Sequence, residues 1–163
     1  MGHASDEYED ALLQYVFSLE ALFLGGENVA IADKIATRCA WVVAVDDNER
    51  RQTFQAVKEL YERRSAIVHG DSVNNAKRAR SAAPDLESIR DLVRRALLSI
   101  LAIRETLSSD DECRRLLSRV AIDRAIQDQI SKIIEAAREM ITPLPKWMEH
   151  RWGPQFQARR GEQ

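Results

Sequence analysis

At 163 residues with a formal net charge of −2, the chain has room for one well-cored domain and carries no overall charge that would by itself point to nucleic acid. Hydrophobic residues make up 45% and charged residues 31%, with only six glycines and four prolines, which excludes collagen-like, low-complexity and wholly disordered chains. No apolar run approaches the roughly 20 residues that cross a bilayer, and no basic segment precedes an apolar one at the N-terminus, so neither membrane insertion nor secretion is expected. Cys39 and Cys113 are too few for a disulfide scaffold and sit in helical apolar patterns, the setting of buried free thiols in a cytoplasmic protein.

Apolar residues recur at three- and four-residue steps throughout, so the spacing predicts an all-α chain without strands. Residues 1–5 read as a disordered N-terminus or vector remnant, and the abrupt start suggests a domain cut from a longer protein. A first helix over 6–24 places Leu12, Val16, Leu19 and Phe23 on one stripe, with Asp6 as N-cap and Gly25-Gly26 as the stop. A second, from about Asn28 to Val45, carries Ile35, Cys39 and Val42 inward together with Trp41. A third starts near Asp47 or Asn48, carries Phe54, Val57, Leu60, Tyr61 and Val68, and ends at His69-Gly70, where glycine permits a left-handed cap. Residues 70–84 form the least hydrophobic stretch and read as a loop. A fourth helix from about Asp85 to Leu107, broad in its apolar face through Ile89, Val93, Leu97, Ile100 and Ile103, is expected at the centre of the core.

Ser108-Ser109-Asp110 reads as a turn and cap, followed by a helical period over 112–141 that predicts a long additional helix, or two shorter ones in line. The expected organisation is a bundle over 6–107, an added C-terminal helix within 108–142 packed on it, and a tail over 143–163. Pro143 and Pro145 open that tail, whose Trp147, Met148, Trp152 and Phe156 are expected to dock on the bundle or, alternatively, to bind a partner.

Charge is unevenly spread. Residues 1–27 hold six carboxylates and no Lys or Arg, whereas residues 49–80 hold eight basic side chains against four acidic ones, the segment a polyanion would meet. Glycine loops for phosphate and Cys or His pairs at metal-ligand spacing are missing, so no metal or cofactor is expected. His3 lies in the first three residues and His150 in the tail; His69 instead closes the third helix in YERRSAIVHG, residues 61–70. On a regular helix Ser65 and His69 are neighbours, while Arg64 lies about 140° from His69 around the axis. A frayed last turn or a second copy of the motif would bring guanidinium and imidazole to one phosphate, where Arg grips the anion and His exchanges protons near neutral pH.

The stretch from about Ala32 to Gly70 resembles the HEPN domain, in particular its Apea-like branch, through the string Tyr61-x-x-Arg64-Ser65-x-x-Val68-His69-Gly70. SLEALFLG at 18–25 is similar to that family's first helix, and DLESIRDLVRRALLSIL at 85–101 to the helix after its variable loop, so the resemblance spans roughly 8–105. It implies an up-and-down bundle of four HEPN-type helices acting as a homodimer, with the family's R-x4–6-H nuclease motif falling on Arg64 and His69 across the dimer interface. The chemistry so implied is metal-independent RNA cleavage of a toxin or antiviral-defence type: a ribose 2′-hydroxyl attacks the adjacent phosphate, His69 moves the proton, and Arg64 stabilises the developing charge. Ser65 stands where many nuclease members have Asp, Asn or His, and it is positioned to orient His69 or touch phosphate. Arg63 and the loop residues Lys77, Arg78 and Arg80 form a candidate RNA-facing rim, with a solvated loop as the alternative.

Two other readings of the chain stay open. The motif also suits a helix-capping histidine and an arginine paired to Glu59 or Glu62, which would make the protein a non-catalytic RNA- or protein-binding or dimerisation module, partnered by a further domain or protein. Small-molecule or nucleotide binding between the helices is the third.

Overall fold

The computed structural model describes residues 3–69 and 85–138, which form six helices: α1 His3–Phe23, α2 Ile31–Val43, α3 Asp47–His69, α4 Leu86–Glu105, α5 Asp110–Arg119 and α6 Arg124–Ala136. Among the described residues there is no strand, and the protein is an all-α helical bundle. The expected loop over 70–84, with Lys77, Arg78 and Arg80, and the tail over 143–163 lie outside the described residues.

One apolar cluster joins all six helices. It runs through Leu12, Val16 and Leu19 of α1, Ile35, Cys39 and Val42 of α2, Val57 and Leu60 of α3, Ile89, Ala96 and Ile103 of α4, Leu116 and Leu117 of α5, and Ile130 of α6. Each fully buried aliphatic side chain contributes roughly 1.5–3 kcal/mol relative to exposure, so the stripes that define the helices also hold them together. As expected, α4 is central, packing against α1, α2, α5 and α6; α2 is equally so, touching α1, α3, α4 and α6. No described helix is long and apolar enough to cross a membrane.

The connections follow local chemistry. Helix α1 begins at His3, ahead of the expected Asp6 cap, and stops at Gly25 and Gly26, both at positive φ (56° and 93°). Ala30 precedes α2 at φ 52°, a left-handed conformation that L side chains adopt at a cost, and it offers no side chain to cap the helix. The connection is held instead by Arg38, whose buried guanidinium donates to Phe23 O at 2.6 Å and to Glu27 Oε1 at 2.7 Å. Lys34 reaches the other Glu27 oxygen at 2.5 Å. These two cations hold the Glu27 carboxyl below the usual carboxylate range, Lys34 having the larger effect.

Helices α2 and α3 form an antiparallel hairpin. Lys58 meets Asp33 at 2.7 Å and the Arg50 guanidinium lies 4.0 Å from the Trp41 ring centre, two pairs symmetric about the Val45-Asp46 turn. At that turn Glu49 N–H donates to Asp46 Oδ1 at 2.7 Å and Val45 N–H donates to Glu49 Oε2 at 2.9 Å, a reciprocal cap. The second Glu49 oxygen accepts from Arg95 at 2.6 Å, which ties the hairpin turn to α4. Trp41, expected to point inward, is half-buried under Arg50.

Within the stretch expected to be helical over 112–141, the described residues to 138 form two helices, the shorter-helix alternative. Ser109 caps α5, accepting from Glu112 N–H at 3.2 Å, and Asp123 caps α6, accepting from Ala125 and Ile126 N–H at 3.1 and 3.4 Å. An aspartate whose carboxylate competes for the backbone donors favours a helix start over a helix interior, and the chain breaks there without glycine or proline. Ile122 is left exposed at the corner. Both cysteines are buried and unpaired, and desolvation pushes the Cys39 thiol up to about 12.

Candidate functional site

Helix α3 loosens from the core toward its C-terminal end. Its buried side chains are Thr53, Val57, Leu60 and Tyr61; none of residues 62–69 is buried, although Ile67 still packs, half-buried, against the core. Val68, expected on the core stripe, is 55% exposed. Residues 61–69 of the YERRSAIVHG string occupy this end.

Within it the two central residues have different surroundings. His69 is exposed in the final turn of α3, and Ser65, one turn earlier on the same face, is exposed as well. Arg64 is half-buried toward Tyr61, whose hydroxyl donates to Glu20 Oε1 of α1 at 3.2 Å. Burial and the Glu20 charge push the Tyr61 hydroxyl pKa up, and the positive charge of Arg64 opposes that rise, which places the guanidinium within electrostatic reach of the pair. Arg64 Nε is shielded from solvent and makes no hydrogen bond. Such an atom costs free energy unless a partner takes it up. Arg63 is half-buried.

One chain therefore does not converge Arg64 and His69. Four intervening residues separate them, and on the regular α3 helix their side chains point about 140° apart. No hydrogen bond joins them among the described residues, and neither expected carboxylate partner, Glu59 or Glu62, forms an ion pair with Arg64. Glu59 instead accepts from Gln55 at 3.2 Å. Among the described residues no group of three or more His, Cys, Asp or Glu side chains is placed to hold a metal ion.

Arg38 is the buried structural residue that periodicity misses. It falls on the buried face of α2 and looks there like a misplaced charge, and only the fold supplies its partners, Phe23 O and Glu27. Nothing in the local pattern around Arg38 signals that role.

Comparison with protein-family models, with curated proteins and with solved structures gives no match for this chain.

Proposed function

We propose that the protein acts on RNA as a HEPN-type, metal-independent endoribonuclease of a toxin or antiviral-defence kind, working in the cytosol as a homodimer in which Arg64 of one protomer meets His69 of the other. The observation that carries this reading is the C-terminal end of α3: an exposed imidazole, an exposed Ser65 and a solvent-shielded Arg64 Nε without a partner, with the exposed apolar Val68 in the same turns. A second copy packed on this end would cover Val68 and bring one protomer's guanidinium toward the other's imidazole, which α3 alone keeps apart.

In that cleft the phosphate of a single-stranded RNA lies against Arg64. His69 takes the proton from the ribose 2′-hydroxyl, the resulting oxygen attacks the adjacent phosphorus, and the 5′-oxygen leaves with a proton, giving a 2′,3′-cyclic phosphate and a free 5′-hydroxyl. Positioned acid–base catalysis of this kind is worth roughly 10²–10⁴-fold, so His69→Ala should lose most of the activity. The test is incubation of single-stranded RNA with the purified protein in EDTA, with identification of cyclic phosphate ends; absence of cleavage at every RNA tried would set the enzymatic reading aside.

A second reading is favoured by the 140° divergence of the two side chains on α3: a non-catalytic RNA- or protein-binding or dimerisation module of a larger protein, in which Arg64 serves the Tyr61–Glu20 pair. It predicts self-association without cleavage.

A further inference from the structure

A second concave feature lies on the same helix, at the opposite end from His69. Between α2 and α3 the hairpin opens into a groove of about 530 Å³, within the range of small-ligand sites. Trp41 and Phe54 supply its aromatic surface, Thr37 and Gln55 its neutral polar groups, and Arg50, Arg51 and Asp47 its charge, with the Asp47 carboxylate offset by Arg50. Arg50 is fixed: it pairs with Asp47, lies flat enough on Trp41 to bring its central carbon 4.0 Å from the ring centre, and keeps a buried Nε without a partner. Arg51 is exposed at the groove edge and forms no ion pair among the described residues.

This combination selects one ligand chemistry. An aliphatic ligand would desolvate the Arg50 guanidinium without compensating it. A bare anion would leave the Trp41 and Phe54 faces wet. A planar heterocycle on a phosphate backbone satisfies both, since its ring stacks on aromatic and guanidinium planes, its edge meets Thr37 and Gln55, and its phosphate meets Arg51. The groove and the helix end also face the same way. Arg51, Phe54, Lys58, Glu62, Ser65 and His69 follow one another at three- and four-residue steps along α3, and Phe54 and His69 are about 22 Å apart along the axis. Glu62 repels phosphate midway, so backbone contacts concentrate at the two ends of the stripe.

We propose that the groove between α2 and α3 binds an unpaired base of single-stranded RNA, stacked on Phe54 and on the Arg50 guanidinium that lies over Trp41, with its phosphate on Arg51, and so holds a strand several nucleotides away from the bond cut at His69. This rests on the RNA-directed reading above. The test uses the full chain with Trp147 and Trp152 changed to Phe, so that Trp41 alone reports fluorescence, titrated with a hexanucleotide of A or U and, separately, with AMP. Anisotropy of an end-labelled hexanucleotide measures binding wherever it occurs.

The expected result is saturable quenching of Trp41 by the hexanucleotide. Arg51→Ala, at an exposed position that leaves folding intact, and Trp41→Leu should each weaken binding about 5-fold or more, with AMP at least ten times weaker than the hexanucleotide. RNA binding seen by anisotropy but without quenching, and unaffected by Arg51→Ala, overturns the groove while leaving the RNA-directed reading standing. Quenching by AMP as tight as by the hexanucleotide overturns it in favour of a free-nucleotide pocket. No binding of RNA by any form removes both.

Discussion

Replacing Arg38 by methionine keeps an unbranched chain of similar length on α2 but removes the guanidinium that fastens the α1–α2 connection. Phe23 O loses its donor, and Glu27 keeps only Lys34. A hydrogen bond from a charged group to a buried acceptor is worth roughly 1.5–3 kcal/mol. The Glu27 contact is worth about 0.5–1 kcal/mol, because that carboxylate is 35% exposed and screened by water. Methionine recovers about 1 kcal/mol of the loss by apolar burial at a site where Arg38 is only 7% exposed, leaving a net cost of about 1–3 kcal/mol. For a domain of this size the melting temperature should fall by roughly 2–12 °C. Urea unfolding at pH 7 of the parent, Arg38→Met, Arg38→Lys and Glu27→Gln is the assay. The lysine variant should be intermediate, since a point charge cannot serve both acceptors in a fixed fork, and Glu27→Gln should cost no more than about 1 kcal/mol. An Arg38→Met protein within about 0.5 kcal/mol of the parent, or a Glu27→Gln protein equally damaged, would refute the argument that the buried carbonyl contact dominates.

Further outcomes follow from other parts of the bundle. Asp123→Ala removes the cap that starts α6 and should cost about 1 kcal/mol, with faster amide exchange at Ala125 and Ile126; unchanged exchange there would show that packing alone sets the break. Cys39 and Cys113 should resist a thiol reagent in the folded protein and react once it unfolds. Because the buried Cys39 thiol titrates near 12 while an exposed one titrates near 9, the unfolded state releases its proton first, and stability should fall between those pH values by at most about 1.4 kcal/mol per pH unit. Cys39→Ala should flatten that decline in urea titrations at stepped pH. Glu27 acts on the acid side: its lowered carboxyl adds stability above the ordinary carboxylate range that is lost as pH falls through it, and Glu27→Gln should make the acid limb shallower.

The helical stripes were legible from the sequence because they report one physical quantity, burial of every third or fourth side chain. Two features were less so. The break at Asp123 carries no glycine or proline, so periodicity allows one long helix or two in line; the competition of its carboxylate for Ala125 and Ile126 N–H marks the start of α6. Val68 keeps the apolar period of α3, but the stripe cannot show that its side of the helix is left uncovered while Ile67 beside it still packs on the core. The Trp41–Arg50 stack was within reach, because a three-residue turn between antiparallel helices sets residues equidistant from it face to face, and Trp41 and Arg50 are so placed. For the candidate site, the sequence supplied the residue types and the angle between Arg64 and His69; the exposure of His69 and the unpartnered Nε of Arg64 depend on where α1 and α2 end, which periodicity does not encode.

The most direct test of a site shared between protomers is RNA cleavage in EDTA by the parent, by Arg64→Ala, by His69→Ala, and by the two variants unfolded and refolded together in equal amounts. If each cleft takes its arginine from one protomer and its histidine from the other, both variants are inactive alone. Their mixture then recovers about a quarter of the parent rate, since half of the dimers are mixed and each has one intact cleft of two. A mixture as inactive as its components, beside an active parent, would contradict the shared site, and a parent that cleaves no RNA would contradict the enzyme.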